Sequence, residues 1–197
     1  MNISAPWPPD ILERMARAVE KVQERLHRTA QALASHGIPY AVIGGNCVAA
    51  WVAKIDAGAV RTTRDVDILI RREDLDRAKI AMDTVGFDYA FSYGVHLFVE
   101  RPDGKPSEGV HLLFAGEKVK ATDPIAAPDL AESEAGTQFQ FLTLEAIVRM
   151  KLVANRDKDR THIRDLIGVG LIDAAWPEKF PEVLAERLRQ ILANPEG

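Results

Sequence analysis

The sequence predicts an α+β domain, a mixed sheet core set between an N-terminal helix and a C-terminal helical segment. Three observations predict it. Short apolar runs bounded by glycine or polar clusters recur at residues 40–43, 66–70, 96–100 and 110–114, with the lengths of strands. Apolar residues at helical spacing occupy residues 10–35 and 71–85. From Thr143 onward the strand signals give way to helical ones. The chain then divides into an arm and helix (residues 1–36), a core (37–136) and a helical segment packed on that core (137–197).

Residues 1–9 are proline-rich and read as a loose arm. Asp10 is suited to cap a first helix reaching about Ser35, with Ile11, Met15, Val19, Val22 and Leu26 as its apolar stripe. His36-Gly37 stops it, glycine being favoured just past a helix. Residues 40–43 then form a short buried strand. Gly44-Gly45 turns into a helix over residues 46–55, whose small side chains Ala49, Ala50 and Ala53 allow close packing on a sheet. Gly58 and the polar residues 61–64 form a loop into the strand at 66–70. Residues 71–85 are an amphipathic helix closed by Gly86, with Leu75, Ala78, Ile80, Ala81 and Met82 apolar. The strands at 96–100 and 110–114 flank Pro102-Asp103-Gly104, a hairpin-like connection. Residues 118–136 lack periodicity and read as a long surface connection. A helix follows Thr143 with the stripe Leu144, Ile147, Val148 and Leu152, and two more lie near 161–169 and 178–192.

Composition excludes several classes. With 47% hydrophobic and 27% charged residues over 197 positions, the chain is an ordinary soluble globular protein. Its net charge of −4 argues against broad, non-specific nucleic-acid binding while allowing a local basic groove. One cysteine, Cys47, excludes an internal disulfide and a multi-cysteine zinc site. No apolar stretch has transmembrane length and no secretory pattern opens the chain, so the expectation is a cytoplasmic protein without a membrane partner.

The chemistry concentrates at Asp65-Val66-Asp67. Alternate residues of a strand share a face, so Asp65 and Asp67 point the same way out of an apolar strand. Paired charges there are costly unless compensated, and a divalent cation compensates them. Upstream, Gly44-Gly45 offers backbone N–H groups at a strand-to-helix turn, where phosphate oxygens bind. Together they point to phosphoryl or nucleotidyl transfer. Arg61 and Arg64 flank the pair and can neutralise phosphate charge.

Gly44-Gly45 followed by Arg61-Thr62-Thr63-Arg64-Asp65-Val66-Asp67 resembles the first motif of the minimal nucleotidyltransferases, and most closely the AbiEii-type toxins of type IV toxin–antitoxin systems. The similarity resumes around Lys151 in Lys151-Leu152-Val153-Ala154 and at Asp165-Leu166, so it covers about residues 40–172. The resemblance implies a polymerase-β-like nucleotidyltransferase core with a helical cap. It implies Mg²⁺ (or Mn²⁺), a nucleoside triphosphate, and an RNA, protein or small-molecule acceptor, with an antitoxin protein as a possible partner. Asp65 and Asp67 are the implied metal ligands. Gly44, Gly45, Arg61, Thr63, Arg64 and Asp165 form the implied phosphate-binding set, and Lys151 and His111 join the acids as catalytic candidates.

One departure matters. This superfold usually carries a third carboxylate on an adjacent strand, and the matching run Gly109-Val110-His111-Leu112 has histidine there. The site loses a negative charge that Mg²⁺ favours. A neutral imidazole can still take a proton and suits Mn²⁺ or Zn²⁺ better. His111 is therefore read in two ways, as a half-buried strand residue or as the replacement for the missing acid. Glu108 and Glu117 flank the strand as weaker candidates.

Lys151 shares a helix face with Ile147, so its ammonium is expected to reach a triphosphate or an acidic partner. Asp165 is read first as an ion-pair partner of Lys151 or Arg160 and second as a site residue. The mixed run 156–160 reads as a solvated helix junction, and Cys47, Trp51 and His96 as packing residues. Two functions follow: an active nucleotidyltransferase, or a catalytically inactive protein of that fold that binds a nucleotide or a partner.

Overall fold

The computed structural model describes residues 10–195. Within them a seven-stranded mixed sheet is flanked by helices on both faces. The strands are β1 (Ala41–Val42), β2 (Val66–Ile70), β3 (Phe87–Ser92), β4 (Val95–Glu100), β5 (Val110–Phe114), β6 (Ser133–Ala135) and β7 (Gln140–Leu142), in the order β3-β4-β5-β2-β1-β7-β6. β2 runs parallel to β5 and β1 parallel to β7, and the other pairs are antiparallel. The helices are α1 (Ile11–Ser35), α2 (Gly44–Ala53), α3 (Leu75–Thr84), α4 (Leu144–Ala154), α5 (Asp157–Gly168) and α6 (Glu182–Ala193). The mixed sheet with a leading helix and a trailing helical segment is the predicted class. Among the described residues no helix is long and apolar enough to cross a membrane.

Strand alternation divides the core. Val66, Ile68 and Ile70 of β2 pack with Phe87, Phe98 and Leu112 beneath α1 and α3. Leu69 faces the opposite side, with Ile43, Val48, Leu142, Ile147, Leu152 and Ile163 beneath α2, α4, α5 and α6. Asp67 lies on that second side, where the helical segment covers the sheet.

Several elements depart from the sequence reading. The tight hairpin is β3–β4, turning at Tyr93-Gly94, both with positive φ (51° and 79°) as a two-residue turn requires. Residues 87–92 carry no assignment in the sequence reading. β4 and β5 pair antiparallel as expected, but through a longer loop that includes a 3₁₀ turn at Pro106–Glu108. The connection at 118–136 ends in a capped 3₁₀ turn, Leu130–Glu132, and then β6; β6 and β7 are too short to show a period. The helix expected over 71–85 divides into a 3₁₀ turn, Arg72–Asp74, and α3. The charged run 156–160 lies at the junction of α4 and α5 as expected, but Asp159 within it is buried rather than solvated.

The stripe of α1 is buried only at Val22 and Leu26, while Met15 is 62% exposed. Asp10 makes no capping bond; its carboxylate accepts from Arg14 Nε at 2.8 Å. On α2 the buried face is Gly45, Cys47, Val48 and Val52, and Ala53 is exposed. The proline-rich arm lies outside the described residues.

Ile68→Ala, at a fully buried position, is expected to lower unfolding free energy by about 2–5 kcal/mol. Met15→Ala should change it by less than about 0.5 kcal/mol. Urea titration of both variants measures the difference.

Candidate active site

Register builds the site. In the parallel pair β2–β5, Asp67 and His111 are direct cross-strand partners, so their side chains rise side by side from one face. Asp65 lies in the bend just before β2 rather than in the strand as expected, and its carboxylate still turns toward the same group. His111 Nδ1 lies 3.5 Å from Asp67 Oδ1 and 3.7 Å from Asp65 Oδ2. One ligand atom from each of the three lies within 4.8 Å of the others, a set that could hold a metal ion.

Each member is held from behind. Thr63 Oγ1 donates to Asp65 Oδ1 at 2.7 Å, and Asn46 Nδ2 donates to the Asp65 carbonyl at 2.9 Å. His111 Nε2 lies 3.2 Å from the Pro106 carbonyl. A carbonyl only accepts, so Nε2 carries the hydrogen and the Nδ1 lone pair of the neutral ring faces the carboxylates. Gly44 has a positive φ (66°), and a Cβ there would overlap the Asp67 carboxylate. A Cβ on Gly45 would lie 3.0 Å from Thr63 Cβ. The glycine pair thus makes room for the acid pair and its support, besides opening backbone to the cavity it lines.

Charge tunes these groups in opposite directions. Asp65 is pushed up by burial, but the Thr63 hydroxyl, its own backbone N–H, Lys158 and His111 together hold its carboxyl below the usual range. His111 is raised by its bond to Asp67, against burial, with further help from the Pro106 carbonyl and Asp65.

The three residues form one wall of a cavity of about 720 Å³. The facing wall comes from α4 and α5. Asn155 adopts φ 48°, the left-handed conformation asparagine tolerates, and ends α4 there; Arg156 then caps α5. This reversal folds Asp159 back onto Lys151, whose Nζ donates to Asp159 Oδ1 at 3.1 Å with both side chains almost fully buried. Arg156 Nε donates to the other Asp159 oxygen at 2.6 Å. Burial raises Asp159, yet Arg156 and Lys151 outweigh it and keep the carboxyl ionised. Lys158 lines the same wall.

Lys151 thus meets the acidic partner expected of it, and that partner is Asp159. Asp165 pairs with neither Lys151 nor Arg160; it accepts from Arg61 Nε at 2.8 and 2.9 Å. Arg61 therefore anchors the loop before β2 to α5, and Arg64, not Arg61, lines the cavity. Glu117 is held by Arg72 at 2.9 Å, and Glu108 is exposed. Burial pushes the Cys47 thiol up to about 12, consistent with packing. The Trp51 indole donates to the Leu142 carbonyl at 3.0 Å, and His96 bonds the Tyr89 hydroxyl. Sequence reasoning missed Asp159, Asn46 and His162. A lysine on a core-facing helix side demands an anion, and that signal could have found Asp159.

No family model and no curated protein matches the chain. Among solved structures it is similar to the antibiotic-resistance factor ANT(2'')-Ia in solution, with TM-score 0.57 and 16% identity over 89% of this chain and 95% of that one. The crystal structure of ANT(2'')-Ia with adenylyl-2''-tobramycin gives 0.52 and 18%, over 87% and 98%. An antigenic nucleotidyltransferase-like protein from Paracoccidioides brasiliensis gives 0.52 and 21%, over 98% and 92%. The chain has the fold of these nucleotidyltransferase-like proteins.

The fold favours protonated His111. The stability this lends the metal-free protein is full below about pH 6.5 and is lost as pH rises through the raised folded value. An NMR titration of metal-free protein should place the His111 midpoint above about 6.5. Asp67→Asn should lower it, and an unmoved midpoint would contradict the assigned contact.

Proposed function

We propose that the chain is a metal-dependent nucleotidyltransferase that moves a nucleoside monophosphate from a nucleoside triphosphate to an acceptor hydroxyl. The observation that carries this reading is the convergence of Asp65, Asp67 and His111 on one cavity wall opposite Lys151, Arg156 and Lys158. The two carboxylates fit a divalent cation, Mg²⁺ or Mn²⁺, and leave His111 Nδ1 free beside it. Asp65 and Asp67 would hold it. Bound there, the cation neutralises triphosphate charge and polarises the oxygens that react.

The chain's own groups supply the rest. Backbone N–H groups at Gly44 and Gly45, at the start of α2, receive the β- and γ-phosphates. Lys151 and Arg156, fixed by Asp159, and Lys158 and Arg64 balance their charge. Thr63 orients Asp65, and the Arg61–Asp165 pair positions the loop that carries Thr63. His111 Nδ1 takes the acceptor's proton while Nε2–H stays on the Pro106 carbonyl. The acceptor oxygen bonds to the α-phosphorus, the bond to the bridging oxygen breaks, and pyrophosphate leaves.

The acceptor is an RNA, a protein or a small molecule. ANT(2'')-Ia, one of the similar structures, was solved in complex with adenylyl-2''-tobramycin. In this chain the cavity carboxylate Asp159 is occupied by Lys151 and Arg156, and cations line the same wall. The motif from Arg61 to Asp67 supports extending the proposal to a cytoplasmic toxin paired with an antitoxin protein. A second reading, a nucleotide- or partner-binding protein without turnover, is favoured by one observation, histidine at position 111 in place of a third acid.

Pyrophosphate release measured with each ribonucleoside triphosphate and Mg²⁺ or Mn²⁺ separates the two. The first reading expects release that falls about 100-fold or more in Asp67→Asn. Metal-dependent triphosphate binding with no release would favour the second.

A further inference from the structure

One polar ring on the cavity wall has no part in the chemistry above. His162 stands three residues beyond Asp159 on α5, hence on the same side of the helix, and lines the cavity. Its Nδ1 is sealed from solvent and has no hydrogen-bond partner among the described residues. An unpartnered, sealed ring nitrogen is destabilising, and buried polar groups in folded proteins are rarely left so. The charged groups facing it are Lys151 and Lys158, balanced by Asp159 and Asp165. Burial first, then Lys151, push this imidazole down to about 4, so the ring is neutral at neutral pH. A neutral imidazole offers one donor and one acceptor and does not complement a phosphate as a cation does. The cations beside it already serve that purpose. Its Nε2 also has no hydrogen-bond partner among the described residues but is not sealed, so it is the ring nitrogen a ligand in the cavity can reach.

We propose that His162 determines nucleotide specificity by hydrogen-bonding an uncharged polar group of the nucleotide, a ribose hydroxyl or a base edge, while the neighbouring cations hold the phosphates. This rests on the nucleotidyltransferase reading of the cavity. Calorimetric titration of the full chain with Mn²⁺ tests it, using the four ribonucleoside triphosphates, their 2'-deoxy forms and inorganic tripolyphosphate. His162→Ala is expected to bind the preferred triphosphate about 10-fold more weakly and tripolyphosphate within about twofold of wild type. Loss of the ribose-over-deoxyribose preference identifies the hydroxyl as partner, and loss of preference among bases identifies the base edge. His162→Phe, which keeps a ring without nitrogen, repeats the comparison should the alanine variant fail to fold, and His162→Gln should recover part of the affinity. Equal weakening of nucleotides and tripolyphosphate, or no weakening of either, overturns the proposal alone. Wild-type protein that binds no triphosphate overturns the underlying reading with it.

Discussion

The parallel pairing of β2 with β5 is the constraint from which the site follows. Its register sets Asp67 beside His111, and the bend leading into β2, held by Thr63 and Asn46, brings Asp65 to the same group. On the reverse face the same two strands present Val66, Ile68, Ile70, Val110 and Leu112 to α1 and α3. A slip of one residue would bury Asp67 and expose the core residues, so the stability of the sheet and the geometry of the site are one requirement. The packed strands thereby fix Asp67 and His111 without a loop having to order them.

Placing two carboxylates beside a dry sheet is costly, and the surrounding structure offsets that cost by several local means. Thr63 bonds Asp65, His111 lies against Asp67, and Lys158 acts on Asp65 from α5. Across the cavity the mirror-image difficulty, a buried lysine, is met by Asp159, which also fixes Arg156. The cavity therefore carries acids from the sheet and cations from α4 and α5, with Arg61–Asp165 tying the acid-bearing loop to α5. Such an arrangement suits a ligand that carries both a cation and phosphates.

How much of this was legible in the sequence depends on how local the determinant is. The acid pair could be read because its members stand two residues apart, and the glycine corner because a strand-to-helix turn needs backbone freedom. The reason Gly44 must be glycine could not be read: the obstacle is the Asp67 side chain, brought there by folding. His111 stayed ambiguous because its role depends on register between strands far apart in sequence. Lys151 announced that it needed an anion but not which one, since Asp159 reaches it only through the reversal at Asn155. Asp165, read first as an ion-pair partner of Lys151 or Arg160, pairs instead with Arg61, 104 residues away. β6 and β7, three residues each, are below the length at which alternation carries information. The alternation Phe87, Tyr89, Phe91 of β3, by contrast, is written in the sequence.

The acid pair and the imidazole act together beside the glycine corner in the proposed chemistry. A crystal of the full chain grown with Mn²⁺ and a non-hydrolysable nucleoside triphosphate, with anomalous scattering recorded at the manganese edge, tests that most directly. The expected result is a manganese peak in contact with carboxylate oxygens of both Asp65 and Asp67, with phosphate density against Gly44 and Gly45. Manganese bound away from both aspartates, or phosphates lodged elsewhere on the surface, would contradict it.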